Sequence, residues 1–146
     1  MTALVFVDTN IFIYTFDEAA AGKQQAATSW LAELWQSQRG RISFQVLQEF
    51  YVNVAQKWPE AREQVREKVR DLLAWGPVAV DRDLIERSWV IQDRYRLSFW
   101  DALIVAAAGS ASCRYLLTED LQAGQDFDGV LVVNPFQTDP GSLPIA

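Results

Sequence analysis

An α/β domain with a mainly parallel sheet is the fold class this sequence predicts, on three observations. Short apolar runs alternate with longer segments of helical periodicity along nearly the whole chain. No repeat, low-complexity block or linker interrupts the alternation, so 146 residues make one domain with a substantial core. Half the residues are apolar and 22% are charged, a globular composition rather than a disordered or fibrous one.

Leu4–Val7 is the first strand. The Asp8-Thr9-Asn10 stretch behind it admits two readings. It caps a helix opening with IFIY, or a buried strand ends there by delivering a carboxylate to the rim of a sheet. Ala27, Trp30, Leu31, Leu34 and Trp35 recur at helical spacing, and Gly40 closes that helix. Arg41–Phe44 is a short strand, followed by a helix carrying Val46, Leu47, Phe50, Tyr51 and Val54. Pro59 opens another helix, with Val65, Val69, Leu72 and Leu73 on its apolar face. Pro77–Val80 is a strand, and Asp81 caps a helix through Trp89 and Ile91. Ser98–Ser110 is apolar nearly all round, hence a buried helix. Arg114–Leu117 and Val130–Val133 are strands, and residues 137–146 are a loose tail.

The composition excludes whole classes of chemistry. With no histidine there is no His-based acid/base catalysis, Ser-His-Asp triad or His-containing metal site. A single cysteine, Cys113, excludes an intrachain disulfide and a cysteine zinc cage. A metal here takes oxygen ligands only. The chain opens without a charged-then-apolar leader, and its longest apolar run falls short of the roughly 20 residues of a membrane span. A cytoplasmic protein with no membrane partner is the expectation. The net charge of −6 disfavours nucleic-acid binding unless a local basic surface or a metal offsets it. All 13 Lys and Arg lie between Lys23 and Arg114, and five acids with no base follow.

Four carboxylates stand where burial is costly. Asp8 ends the first strand, and Asp120 follows the strand RYLL through Thr118 and Glu119, so parallel strands bring both to one sheet edge. Asp101 lies in SFWDALIVAAA, spaced from Ser98 as a capping box, yet flanked by apolar residues. Glu49, in ISFQVLQEFYVNVA, lies between two apolar ridges of its helix, where a solvated flanking role is the ordinary alternative. No Lys or Arg lies within a helical turn of Asp8, Glu49 or Asp101. Converging unpaired carboxylates raise one another's pKa values, a conflict that a divalent cation resolves.

These motifs resemble the PIN-domain ribonucleases, most closely the VapC toxins of toxin–antitoxin pairs. The likeness runs in order from VFVDTNIFIY through VLQEFY and SFWDALIVAAA to LLTEDLQAG and VVNPF. It implies a PIN-like α/β/α sandwich of about five mainly parallel strands over residues 1–136. It also implies an acidic quartet of Asp8, Glu49, Asp101 and Asp120 holding Mg²⁺ or Mn²⁺, with Glu119 one position from the fourth. Thr9, Asn10 and Thr118 match the polar positions that accompany the quartet. The implied activity is hydrolysis of single-stranded or loop RNA, by a homodimer that a small VapB-type antitoxin blocks. Incompletely covered helices at Val46–Val54 and Val65–Leu73 would also suit a dimer.

Two other functions compete. A haloacid-dehalogenase-like phosphatase also starts with an aspartate after an apolar strand, but needs a second aspartate where this chain has Asn10. A catalytically silent PIN-like binding module is the other, although such modules usually lose acidic positions. Arg39, Arg41, Lys57, Arg62 and Arg66 are candidate phosphate contacts. Along Arg62, Arg66 and Arg70, however, Glu60, Glu63, Glu67 and Asp71 alternate, as on a solvated ion-paired face. Trp30, Trp35 and Trp89 fall on core stripes, leaving Trp58 and Trp100 as rings able to face a groove.

Overall fold

β1 (Leu4–Val7) is buried at Val5, Phe6 and Val7 alike. Successive strand residues point to opposite faces, so both faces of the sheet are covered there, as in a parallel α/β domain. The computed structural model describes residues 3–143. Its five-stranded sheet runs in the order β2–β1–β3–β5–β4, with β2 at Gly40–Arg41, β3 at Cys113–Leu117, β4 at Asp126–Phe127 and β5 at Val130–Val133. β1 pairs in parallel with β2 and β3, β3 pairs in parallel with β5, and only β4 is antiparallel. The chain leaves β1 toward β2 and leaves β3 toward β5. The strand order therefore reverses between β1 and β3, and in such sheets the crevice lies at the carboxyl ends of those two strands.

Among the described residues six α-helices surround the sheet: α1 (Thr9–Tyr14), α2 (Ala21–Ser37), α3 (Phe44–Lys57), α4 (Arg62–Leu72), α5 (Arg82–Tyr95) and α6 (Phe99–Ser110). Pro59 opens a 3-10 turn that leads into α4, and the Asp81 side chain caps α5 by accepting from the Leu84 N–H at 2.9 Å. In α6, Ala102 to Ala108 are all buried, as a helix apolar on every side requires.

Several expectations need correction. Gly40 does not close the second helix. Gln38 does so in the left-handed conformation, while Gly40 lies in β2 against the Trp75 ring, where a Cβ would collide. The strand expected over Arg41–Phe44 is shorter and begins earlier, because Ser43 turns away to cap α3 through the Val46 N–H at 3.3 Å. Pro77–Val80 is not a strand. Pro77 has no N–H for a ladder, and Val78 alone bridges to Ser43. The fifth strand is instead β4, joined to β5 by Asp128–Gly129, both at positive φ, which is the backbone a two-residue hairpin favours.

Trp30 is in the core, but Trp35 and Trp89 are 48% and 49% exposed. Trp35 lies against Trp75, with ring centroids 5.9 Å apart. Leu73 is also exposed: α4 gives way there to a 3-10 turn that turns Leu73 outward and Trp75 into the core. The tail expected to be loose from residue 137 is anchored as far as Leu143. Trp30 Nε1 donates to the carbonyls of Pro135 and Thr138, and Leu143 is buried. Residues 144–146 lie outside the described chain.

Candidate active site

Asp8 satisfies both readings of its sequence at once. One carboxylate oxygen accepts from the Thr9 N–H at 2.7 Å and caps α1, while the other accepts from the Thr118 hydroxyl at 2.8 Å. Its own N–H donates to the Leu117 carbonyl at 3.0 Å, so it extends the β1–β3 ladder by one rung. The residue is thus both the end of a strand and the start of a helix, at the point where the strand order reverses.

From Asp8 the polar contacts spread two ways. The Thr9 hydroxyl donates to Glu49 Oε1 at 3.3 Å, across to α3. On the other side, Asn10 Nδ2 donates to Asp120 Oδ2 at 2.8 Å and to the Thr118 hydroxyl at 3.3 Å, which also accepts from the Asp120 N–H at 3.1 Å. Asp8, Glu49 and Asp120 are joined through Thr9, Asn10 and Thr118. Among the described residues none of these three acids, nor Asp101, forms an ion pair.

Asp101 stands differently. The Ser98 hydroxyl accepts from the Asp101 N–H at 3.1 Å, which is one half of a capping box. The Asp101 carboxylate has no hydrogen-bond partner among the described residues. A short turn joins α6 directly to β3, so the helix runs back along the strand. Twelve helical residues span about 18 Å and five strand residues about 17 Å, which sets the first turn of α6 level with the carboxyl end of β3.

Electrostatics single out Asp8. Burial pushes its carboxyl up to about 6, against the Thr118 and Thr9 hydrogen bonds, with the Asp120 and Glu49 charges adding to the rise. Glu119, one residue from Asp120, faces elsewhere: its carboxylate accepts from the Tyr14 hydroxyl and pairs with Lys23 at 2.7 Å. Burial works to raise the Glu119 pKa, but these hydrogen bonds outweigh it and the net shift is downward. Tyr14 and Lys23 carry no local signal in the sequence, since their partner lies 105 and 96 residues away. Burial pushes the Cys113 thiol up to about 12, away from the thiolate form that reacts.

A PIN-domain family model matches residues 5–125, a span that starts within β1 and ends beyond Asp120. The chain belongs to the PIN-domain family. Its sheet and flanking helices are those the sequence led one to expect of a PIN domain, with the strand corrections given above. Among solved structures, this PIN domain is similar to a toxin–antitoxin complex from Klebsiella pneumoniae, at 27% identity and TM-score 0.65, covering 90% of this chain and 97% of that one. FitAB bound to a DNA fragment matches at 18% identity and TM-score 0.73, covering 93% and 98%. The sarcin–ricin-loop-cleaving toxin VapC20 of Mycobacterium tuberculosis matches at 19% identity and TM-score 0.57, covering 77% and 86%. No curated protein matches the sequence.

The donor set of this PIN domain suits a hard cation: carboxylates, hydroxyls and amide oxygen, with no nitrogen or sulfur ligand. The Asn10 amide oxygen is buried without a donor among the described residues, an acceptor that a cation or its water shell would satisfy. Still, no group of three or more Asp, Glu, Cys or His among the described residues is disposed to hold an ion unaided. Asp8, Glu49 and Asp120 each accept from a hydroxyl or amide donor of Thr118, Thr9 or Asn10.

The basic candidates divide. Arg39 is buried, its Nε donating to the Ala3 carbonyl at 2.9 Å, so it is not available to a phosphate. Arg41 holds the carbonyls of Gln38 and Gly40, and Lys57 faces Asp17 at 3.8 Å. On α4, Arg66 pairs with Glu63, and Arg70 pairs with Glu63 and Glu67, the solvated face that the alternating charges indicate. Trp100, next to Asp101, is 63% exposed.

Proposed function

We propose that this PIN-domain protein is a Mg²⁺- or Mn²⁺-dependent endoribonuclease, the toxin of a type II toxin–antitoxin pair working in the cytoplasm. The observation that carries the proposal is a buried aspartate at the switch point, with no cation partner and its carboxyl raised to about 6 by burial and by neighbouring acids. Buried unpaired carboxylates of this kind mark functional sites. In this reading Asp8, Glu49, Asp101 and Asp120 hold the metal, and Thr9, Asn10 and Thr118 support them. A divalent cation there would lower the pKa of an attacking water and neutralise charge on the RNA phosphate. The chain's own residues do the rest. Asp8 is fixed by two hydrogen bonds, Asn10 holds Asp120, and Thr9 holds Glu49, so the carboxylates are oriented before an ion arrives.

The similarity to toxin structures supports a cognate VapB-type antitoxin as partner, and the exposed Phe44, Val52 and Leu73 on α3 and at the end of α4 suit a homodimer. Among the described residues no helix is long and apolar enough to cross a membrane. Family membership sets aside the phosphatase alternative, whereas a silent binding module is separated by assay. Single-stranded and loop-containing RNAs are incubated with the protein in Mg²⁺, in Mn²⁺ and in chelator. Cleavage with either ion that stops in chelator is the expected result, and intact RNA under every condition would reject the enzyme. Sedimentation at micromolar concentration checks the dimer separately.

A further inference from the structure

We propose that Glu119 is a positioning residue: with Tyr14 and Lys23 it forms a clamp that aims Asp120 into the site. The inference rests on the reading of Asp120 as a metal ligand. Glu119 and Asp120 are adjacent and chemically alike, and the resemblance at LLTED favours Asp120 as the fourth acid by a single position. The structure gives them opposite partners. Both partners stand on α1: Asn10 binds Asp120 and Tyr14 binds Glu119. Residues four apart on a helix lie on one face, about 6 Å along the axis from each other. α1 therefore presents two neighbouring rungs to two consecutive acids, and the register of the turn after β3 follows from which acid takes which rung.

The outer rung is the more heavily built. Lys23, in the first turn of α2, pairs with Glu119 at 2.7 Å and donates to the Tyr14 hydroxyl at 3.4 Å. Its ammonium lies over the Tyr14 and Phe136 rings, 5.2 and 5.1 Å from their centroids, and those rings pack edge to face at 5.2 Å. Two helices thus converge on one carboxylate beside the site, and Phe136 from a third segment backs their side chains. An ordinary exposed ion pair does not need an aromatic floor. The pairing has a second consequence. Lys23 is held by Glu119 and does not swing to Asp120, where an ammonium would compete with a cation for the same carboxylate.

The test measures Mn²⁺ binding to the full chain by calorimetry, with folding followed by circular dichroism. Glu119→Gln should weaken Mn²⁺ about tenfold, the usual cost of losing a partner that orients a ligand. Tyr14→Phe should weaken it less, and Lys23→Arg should leave it near the wild-type value. In the Asp120→Asn background, Glu119→Gln should cost nothing further, because the clamp acts only through Asp120. A merely structural ion pair would lower the melting temperature and leave Mn²⁺ affinity alone, which overturns the proposal. An equal loss in both backgrounds would make Glu119 a ligand itself and overturn it as well. Wild-type Mn²⁺ binding in Asp120→Asn would instead overturn the assignment of Asp120, and the clamp with it. Should Glu119→Gln fail to fold, Tyr14→Phe with and without Asp120→Asn carries the same comparison.

Discussion

Two groups of charged residues on this protein treat the same chemistry in opposite ways. On α4, Glu63, Arg66, Glu67 and Arg70 are exposed and paired with one another, so each acid has a base nearby and water around it. At the carboxyl ends of β1 and β3, Asp8, Glu49 and Asp120 have hydroxyl and amide donors but no base among the described residues. The first arrangement is cheap and contributes little, because solvent screens exposed pairs. The second raises the Asp8 pKa and leaves the folded chain holding charge it would be more stable without. A protein retains such a cost where the charge has work to do. The contrast teaches that pairing, rather than acid content, distinguishes a site from a surface.

The sharpest way to break the contrast is to neutralise one site acid. Asp8→Asn or Asp101→Asn should lower metal-dependent RNA cleavage by orders of magnitude, and the two losses should not add, since both act through one site. Single-turnover cleavage of a loop RNA measures this. Full activity in Asp101→Asn would mean that Asp101 only caps α6 with Ser98, and would cost that same helix at most about 1 kcal/mol.

The next effect is on stability in chelator. Asp8 titrates near 3.8 when unfolded and at about 6 when folded, so between those values the folded state holds a proton that the unfolded state has lost. Stability from this group is therefore fully present below pH about 4, falls as pH rises to about 6, and stays low above. The span corresponds to about 3 kcal/mol at 1.36 kcal/mol per pKa unit. Urea unfolding of wild type and Asp8→Asn across that range should show the wild type losing stability with rising pH more than the variant does. Parallel curves would remove Asp8 as the strained group.

Mn²⁺ should then restore what chelation exposes. At a hundredfold excess over the dissociation constant, binding to the folded state alone adds about 2.7 kcal/mol, visible as a rise in melting temperature. The rise should vanish in Asp8→Asn. The smallest effect belongs to the contrasting surface. Arg70→Gln should change stability by no more than about 0.5 kcal/mol and leave RNA cleavage unchanged. A large loss of cleavage there would mean that α4 grips RNA after all.

By itself, the sequence determined whatever depends on local pattern. Leu4–Val7 is apolar at every position, so it is a buried strand, and the acid behind it either caps a helix or stands at a sheet edge. Ser98 and Asp101 are three apart, so their cap forms, and Ala102–Ala108 can only be a buried helix. Even β4 was legible in part, since Asp128–Gly129 before VLVV is a hairpin signal. What only the tertiary structure decided are relations between distant residues. Trp35 and Trp89 lie on apolar stripes, yet each is left about half exposed. Position 40 is glycine because Trp75, far along the chain, occupies the space a side chain would need, and the helix before it ends at Gln38. Glu119 and Asp120 are told apart by Lys23, 96 residues away, and Asn10, 110 residues away. Periodicity reports which side of an element is apolar, an energy set within a few turns. Which acid meets which donor depends on the strand order that brings β3 beside β1, and no window of sequence contains both.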